Sequence, residues 1–265
     1  PGRFVLQTAR RPEDETLSCR FVVMSDTHFV RPPTDFEATW WNRTTERFSR
    51  EMGEALVDCI GGLSPDFVIH CGDFVGVDSE ENFEYGLSFM ERLGCPWDGV
   101  PGNHDTWTGA ARNGFREVFG TGTGTWSYAR EMGGLGFFFL DVVHWMDDRG
   151  VVSPVLDGEK YEAGKIAGMG PTERDVAWLD DELGRTNLPS VLVTHAPIHF
   201  RPAYPVKTLP RGKPAESPRT PPRGFISGFL EEHEGRGRLL GLTLNDPGVR
   251  VCFAGHWHLN DAVER

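Results

Sequence analysis

Five short runs in this chain gather the side chains that divalent cations prefer: Ser25-Asp26-Thr27-His28, Cys71-Gly72-Asp73, Pro101-Gly102-Asn103-His104-Asp105, Thr194-His195-Ala196-Pro197 and Gly255-His256-Trp257-His258. Each follows an apolar stretch. Carboxylates and imidazoles buried there without a partner would cost several kcal/mol each, roughly 2–7 kcal/mol for a polar group. A pair of divalent metals is the economical explanation, and oxygen-plus-imidazole ligation suits Mn, Fe or Zn. The chemistry such a pair supplies is hydrolysis by an activated water.

The elements that must position these runs read as strands alternating with helices. Cys19–Ser25, Asp66–His70, Trp97–Val100, Leu135–Asp141, Pro189–Thr194 and Val249–Ala254 read as strands, with Trp126–Ala129 beside the fourth. Thr44–Ile60, Ser79–Leu93 and Thr172–Leu183 carry apolar residues at helical spacing. Thr172 is the expected N-cap of the last, with Asp175 in its first turn. Phe225–His233 reads as a short helix. Alternation of this kind predicts an α/β sheet that is at least partly parallel. In such a sheet ligands bind beyond the carboxyl ends of the strands, where all five runs fall. In Asp26-x-His28, residues two apart on an extended segment point the same way, so both can grip one metal. The same spacing in His256-x-His258 allows one metal or two. Gly72, Gly102 and Gly255 permit tight turns and close approach beside the ligands.

The ordered set DxH, GD, GNHD, a lone His after a strand, and GHxH resembles the calcineurin-like metallophosphoesterase superfamily, over a span from Asp26 to His258. The resemblance implies a four-layer α/β/β/α sandwich of two mixed sheets flanked by helices, within one domain covering 1–265. It assigns Asp26, His28 and His258 to a first metal, and Asn103, His195 and His256 to a second. Asp73 would bridge both ions, and a hydroxide shared between them would attack phosphorus. His104 would serve the leaving group as general acid or charge stabiliser, with Asp105 orienting its ring.

Other polar and aromatic residues carry plainer readings. His70 reads as packed or hydrogen-bonded in the core. His144 lies outside the motifs, and His233 is a surface residue near a helix end. His199 is a candidate substrate contact, although Pro197 argues against a helix joining it to His195. Trp107 follows the GNHD run and reads as core packing or as a wall for an aromatic leaving group. Trp257 points away from its ligand neighbours, and Trp40-Trp41 sit where the family places recognition insertions. Asp141 is left out of the site, and Asp147-Asp148 reads as a solvated charge pair. The Pro- and Arg-rich stretch Arg201–Arg223 reads as a surface or lid loop, and Val151–Gly170 as a polar insertion that could form a flap. Few residues follow His258, so strands completing the second sheet could come from Arg3–Thr8.

The formal net charge of -12 argues against a long polyanion as partner, so no stable nucleic-acid partner is expected. No apolar run reaches membrane-spanning length. The cysteines Cys19, Cys59, Cys71, Cys95 and Cys252 show no CxxC spacing and suit a reducing, cytoplasmic setting. The expected partner is a small phosphate ester, and the motif set does not fix an oligomeric state. A phosphodiesterase acting on a nucleotide-like or other small diester leads, since the motifs are similar to the cyclic-nucleotide branch. A phosphomonoesterase is the alternative and would want an arginine such as Arg43, Arg201 or Arg223 near the free phosphate oxygens. Such an enzyme could act on a small molecule or a phosphoprotein. A non-catalytic assembly subunit would lack His104, which this chain keeps.

Overall fold

The computed structural model of the protein describes residues 19–32, 47–108, 126–198 and 234–256. A first sheet grows from three short apolar runs. β1 (Phe21–Met24), β2 (Phe67–His70) and β3 (Trp97–Gly99) lie parallel in the order β1-β2-β3. Parallel neighbours need crossovers, and helices provide them here. The segment joining β1 to β2 contains α1 (Ser49–Leu63). The β2–β3 connection contains α2 (Glu80–Met90) and a 3-10 turn, Glu91–Leu93. α1 stops where Ser64 turns left-handed, and α2 starts at Ser79, whose side chain accepts the Asn82 N–H.

The second sheet has the order β10-β9-β5-β4. β4 (Tyr128–Met132) and β5 (Leu135–Phe139) form an antiparallel hairpin. β5, β9 (Ser190–Val193) and β10 (Val249–Phe253) run parallel. Side chains alternate between faces along each strand and so sort into three apolar clusters. Phe67 and Ile69 meet Phe137, Phe139, Val191 and Val193 between the two sheets. Val68 faces the other way, with Val57, Ile60, Phe83 and Phe89 of α1 and α2. Phe138 and Leu192 face Val176 and Leu179 of the helix Glu173–Arg185, and Leu239 of the helix Glu234–Asn245. The layers therefore run helix, sheet, sheet, helix, as expected. The helix Glu173–Arg185 opens with a capping box in which Thr172 and Asp175 each accept the other's backbone N–H.

One stretch departs from expectation. Val151–Gly170 is not a flap. It contributes β7 (Val152–Ser153), α3 (Gly158–Glu162) and β8 (Ile166–Gly170), and with β6 (His144–Asp147) it makes a third, antiparallel sheet ordered β7-β6-β8. Trp145 and Met169 anchor that sheet in the outer apolar cluster. Asp147 is correspondingly not solvated: it is only 3% exposed. Its carboxylate accepts hydrogen bonds from Lys160 Nζ at 2.9 Å and from the N–H groups of Val151 and Arg149 at 2.9 and 3.0 Å. Val151 and Lys160 of this otherwise largely exposed stretch are tied to the sheet through that one buried carboxylate.

The helices Glu173–Arg185 and Glu234–Asn245, designated α4 and α5, complete the described elements. α5 went unread in the sequence because Gly235, Gly237 and Gly241 weaken its helical pattern. The expected helix Phe225–His233, the loop Arg201–Arg223 and the run Arg3–Thr8 lie outside the described residues. No described helix is long and apolar enough to cross a membrane. Cys71 is buried and Cys59 exposed.

Candidate metal centre

The turns after β1, β2, β9 and β10 meet at one edge of the sandwich. Backbone bonds register the first two: Asp26 N–H donates to the Gly72 carbonyl at 2.9 Å, and His28 N–H to the Asp73 carbonyl at 3.1 Å. The turn after β10 joins them where His256 N–H donates to both Asp26 carboxylate oxygens at 3.0 Å. The Gly255 N–H donates to the His195 carbonyl at 2.9 Å, which ties in the turn after β9.

These turns are strained. The described non-glycine residues with positive φ are Asp26 (56°), His28 (45°), Asp73 (53°), His256 (73°) and Ser64 (49°). Four of the five are candidate ligands. Such conformations cost about 1–3 kcal/mol each and persist where the surroundings over-determine them. This corrects the extended geometry expected for Asp26-x-His28: both residues are left-handed, so their pairing comes from the turn and not from strand alternation. Glycines make room for the strained residues. Gly72 has φ 87°, and a Cβ there would lie 2.7 Å from His195 Nδ1. A Cβ on Gly102 would overlap the Asp73 backbone and carboxylate.

Asp73 stands at the centre, 2% exposed. Its Oδ2 lies 3.6 Å from His28 Nε2, and its Oδ1 lies 3.4 Å from His195 Nε2. His195 Nε2 is also 3.0 Å from Asn103 Oδ1 and 3.2 Å from His256 Nδ1. Two donor sets thus share one carboxylate. Asp73, His195 and His256 form one, with Asn103 beside it. His28, Asp73 and His104 form the other. The carbonyl of Cys71 accepts from His195 Nδ1 at 2.8 Å, which turns Nε2 toward the cluster. Fixing one ring nitrogen this way is how proteins orient a histidine ligand.

The electrostatics fit a cation. Burial opposes charge on Asp73, but His195, His104 and His28 outweigh it and hold the carboxyl well below its ordinary range. His195 is pushed up to about 9: burial pulls it down, and the contact with Asp73 overcomes that. His256 is pushed down to about 4 by burial and then by His195. A field that drives a proton onto a buried imidazole is a field that favours positive charge, and a divalent ion supplies that charge with the proton released. The donor chemistry and crowding therefore fit metal ions.

His104 is half-buried at the rim, its ring 4.6 Å from that of His28. Its Nδ1 lies 2.9 Å from the Gly76 carbonyl, which can only accept, so Nδ1 carries a hydrogen and Nε2 is the nitrogen left for chemistry. The ring-orienting partner is therefore Gly76, not Asp105. Asp105 instead accepts the N–H groups of Phe74, Val75 and Gly102 at 2.8–3.0 Å and staples the turns after β2 and β3 together. Burial and the nearby Asp73 push its carboxyl up to about 7. Sequence carries no signal for a carbonyl in this role, so Gly76 was not foreseeable. His258, His199, Trp257, Trp40 and Trp41 lie outside the described residues. Asp141 is buried beside Ser127, outside both donor sets.

The family model described as calcineurin-like phosphoesterase matches residues 19–260. The chain belongs to the calcineurin-like phosphoesterase family. Membership makes it a metal-dependent phosphoric ester hydrolase. Among solved structures, this phosphoesterase is similar to a dimetal phosphatase from Danio rerio, with TM-score 0.59 and 15% identity over 91% of this chain and 82% of that one. It is also similar to a purple acid phosphatase from yellow lupin, Lupinus luteus, with TM-score 0.55 and 15% identity, over 91% of this chain but 38% of that one. At that identity the likeness is one of fold. No curated protein sequence matches the calcineurin-like chain significantly.

Proposed function

We propose that this phosphoesterase is a phosphodiesterase for a small, nucleotide-like diester, with Asp73 as the carboxylate that would serve both of two divalent-ion sites. The observation that carries the reading is the placement of the two Asp73 oxygens against two separate donor sets. In this reading Asn103, His195 and His256 would hold one ion, Asp26, His28 and His258 would hold the other, and Mn, Fe or Zn would suit both. The chemistry two such ions supply is an acidified water nucleophile and neutralised phosphoryl charge.

The chain's own groups do the rest. Asp26 and Asp73 hold the charge that keeps the ions in place. Gly76 holds the His104 ring by Nδ1–H, so that the ring, when protonated on both nitrogens, can give its Nε2 proton to the leaving oxygen and is left neutral. Asp105 keeps the turn bearing His104 fixed against the turn bearing Asp73. Among the described residues, the side chains holding Asp73 are histidines, with no arginine or lysine. Arg43, Arg201 and Arg223, the arginines a monoesterase would want, lie outside the described residues. Trp107, half-buried with its ring 4.9 Å from that of His104, supports a flat ring on the leaving group.

Both solved neighbours carry the name phosphatase, which favours a phosphomonoester as the second reading. Hydrolysis of bis-(4-nitrophenyl) phosphate against 4-nitrophenyl phosphate, with Mn²⁺ and then with chelator, separates the two. The expected result is chelator-sensitive turnover that favours the diester. Faster hydrolysis of the monoester would replace the first reading with the second.

A further inference from the structure

His70 ends β2, three residues before Asp73, and is wholly buried. Its ring sits edge-on to Phe74, with centroids 5.4 Å apart. Both ring nitrogens are engaged. Nδ1 is 3.1 Å from the backbone nitrogen of Gly72, which can only donate, so Nδ1 accepts. The hydrogen of a neutral imidazole is then on Nε2, 3.0 Å from the Thr27 hydroxyl. Thr27 passes its own hydrogen to the Phe74 carbonyl, also at 3.0 Å. One assignment satisfies all three bonds, a neutral ring with its hydrogen on Nε2.

The placement of these partners matters. Thr27 lies between Asp26 and His28, and Gly72 and Phe74 flank Asp73. The relay thus ties the Asp26–His28 turn to the Asp73 turn through side chains, next to the two backbone bonds that already join them. Asp26, His28 and Asp73 all sit at positive φ, where a turn left to itself relaxes. The geometry points to His70 as a positioning residue that, through Thr27, sets the spacing of Asp26 and His28 against Asp73 and so tunes divalent-metal affinity. This rests on the metal-centre reading above.

The test uses the full chain and two readouts, Zn²⁺ affinity by competition with a chelator and the Tm of the metal-free protein. Thr27→Val keeps the shape and removes the hydroxyl. His70→Asn keeps an acceptor for Gly72 and loses the reach to Thr27. Each is expected to weaken Zn²⁺ binding about 10–100-fold, the scale seen when groups behind metal ligands are removed. Thr27→Ser restores the hydroxyl and is expected to bind within a few-fold of wild type. The double variant His70→Asn/Thr27→Val is expected to be no weaker than the worse single, since both cut one bond. If His70→Asn fails to fold, the Thr27 pair decides alone. A merely structural role would lower Tm in both single variants and leave Zn²⁺ affinity at the wild-type value, which would overturn the proposal. Wild-type protein that binds no Zn²⁺ would instead overturn the metal-centre reading beneath it.

Discussion

Asp73 and Asp147 are both buried aspartates held well below the usual carboxylate range, and they are held in opposite ways. At the third sheet, Lys160 and then the N–H groups of Val151 and Arg149 keep Asp147 ionised. That cluster brings its own permanent cation. At the ligand edge, burial works against Asp73, and the charges that oppose it come from histidine rings, beside one backbone bond from the His104 N–H at 2.8 Å. Imidazoles are poor permanent cations and good metal ligands. The backbone shows the same divide. The third sheet turns left-handed at Gly150 and Gly164, where no side chain resists. The ligand edge does so at Asp26, His28, Asp73 and His256, where the side chain is needed and the strain is accepted. A buried carboxylate with a lysine on relaxed backbone is finished structure. One with histidines on strained backbone is waiting for an ion.

The sharpest way to break this contrast is Asp73→Asn. It removes the charge that both donor sets share, so metal content by elemental analysis is expected to fall from two ions per chain, with nearly all activity lost. A fully active variant that still carries both ions would sink the assignment. His104→Ala comes next. His104 sits at the rim with its Nδ1 committed to Gly76, so both ions are expected to stay while kcat falls about 10²–10⁴-fold, the scale of a lost general acid. If the ions left with it, His104 would be a ligand, as its nearness to His28 and Asp73 allows.

The two regions also differed in how well they could be read from sequence. The ligand edge was legible because each ligand follows an apolar run, and strand ends converge in an α/β sheet. The family resemblance of the motif set puts Asp73 in one site with His28 and His195, and the structure brings the three together. What sequence misjudged there was local: left-handed turns in place of an extended DxH segment, and Gly76 in place of Asp105 behind His104. Both depend on backbone path, which a motif does not encode. The third sheet was illegible for a different reason. β6 and β7 are 4 and 2 residues long, too short for alternation to register. The segment's polarity suggested solvent, yet Lys160 and the Val151 N–H both donate to the buried Asp147 carboxylate. An ion pair with a buried carboxylate looks in sequence like two surface charges, because nothing local marks Asp147 and Lys160 as partners. His70 is an intermediate case. Its burial was foreseen, but its hydrogen bond to Thr27 joins residues 43 apart in the chain and emerges only when β1 and β2 pair.

The smallest expected effect on catalysis, and the one that tests the comparison from its other side, is Asp147→Asn. If Asp147 is finished structure, the variant keeps both ions and wild-type kcat while its Tm falls. The sign with pH follows from the shift. The folded carboxyl is held below its unfolded value, so the unfolded chain binds the proton more readily. Its stabilisation is therefore fully present above the ordinary carboxylate pKa of about 4. It is lost as pH falls through the lower folded value. The gap in Tm between wild type and Asp147→Asn should be steady near neutrality and shrink as pH falls below about 4. A gap that ignores pH would mean the carboxamide fails by shape and not by charge, and Lys160 would no longer count as the cation that completes the site. Lost metal in the same variant would mean the third sheet supports the ligand edge, and the two regions would no longer be separable.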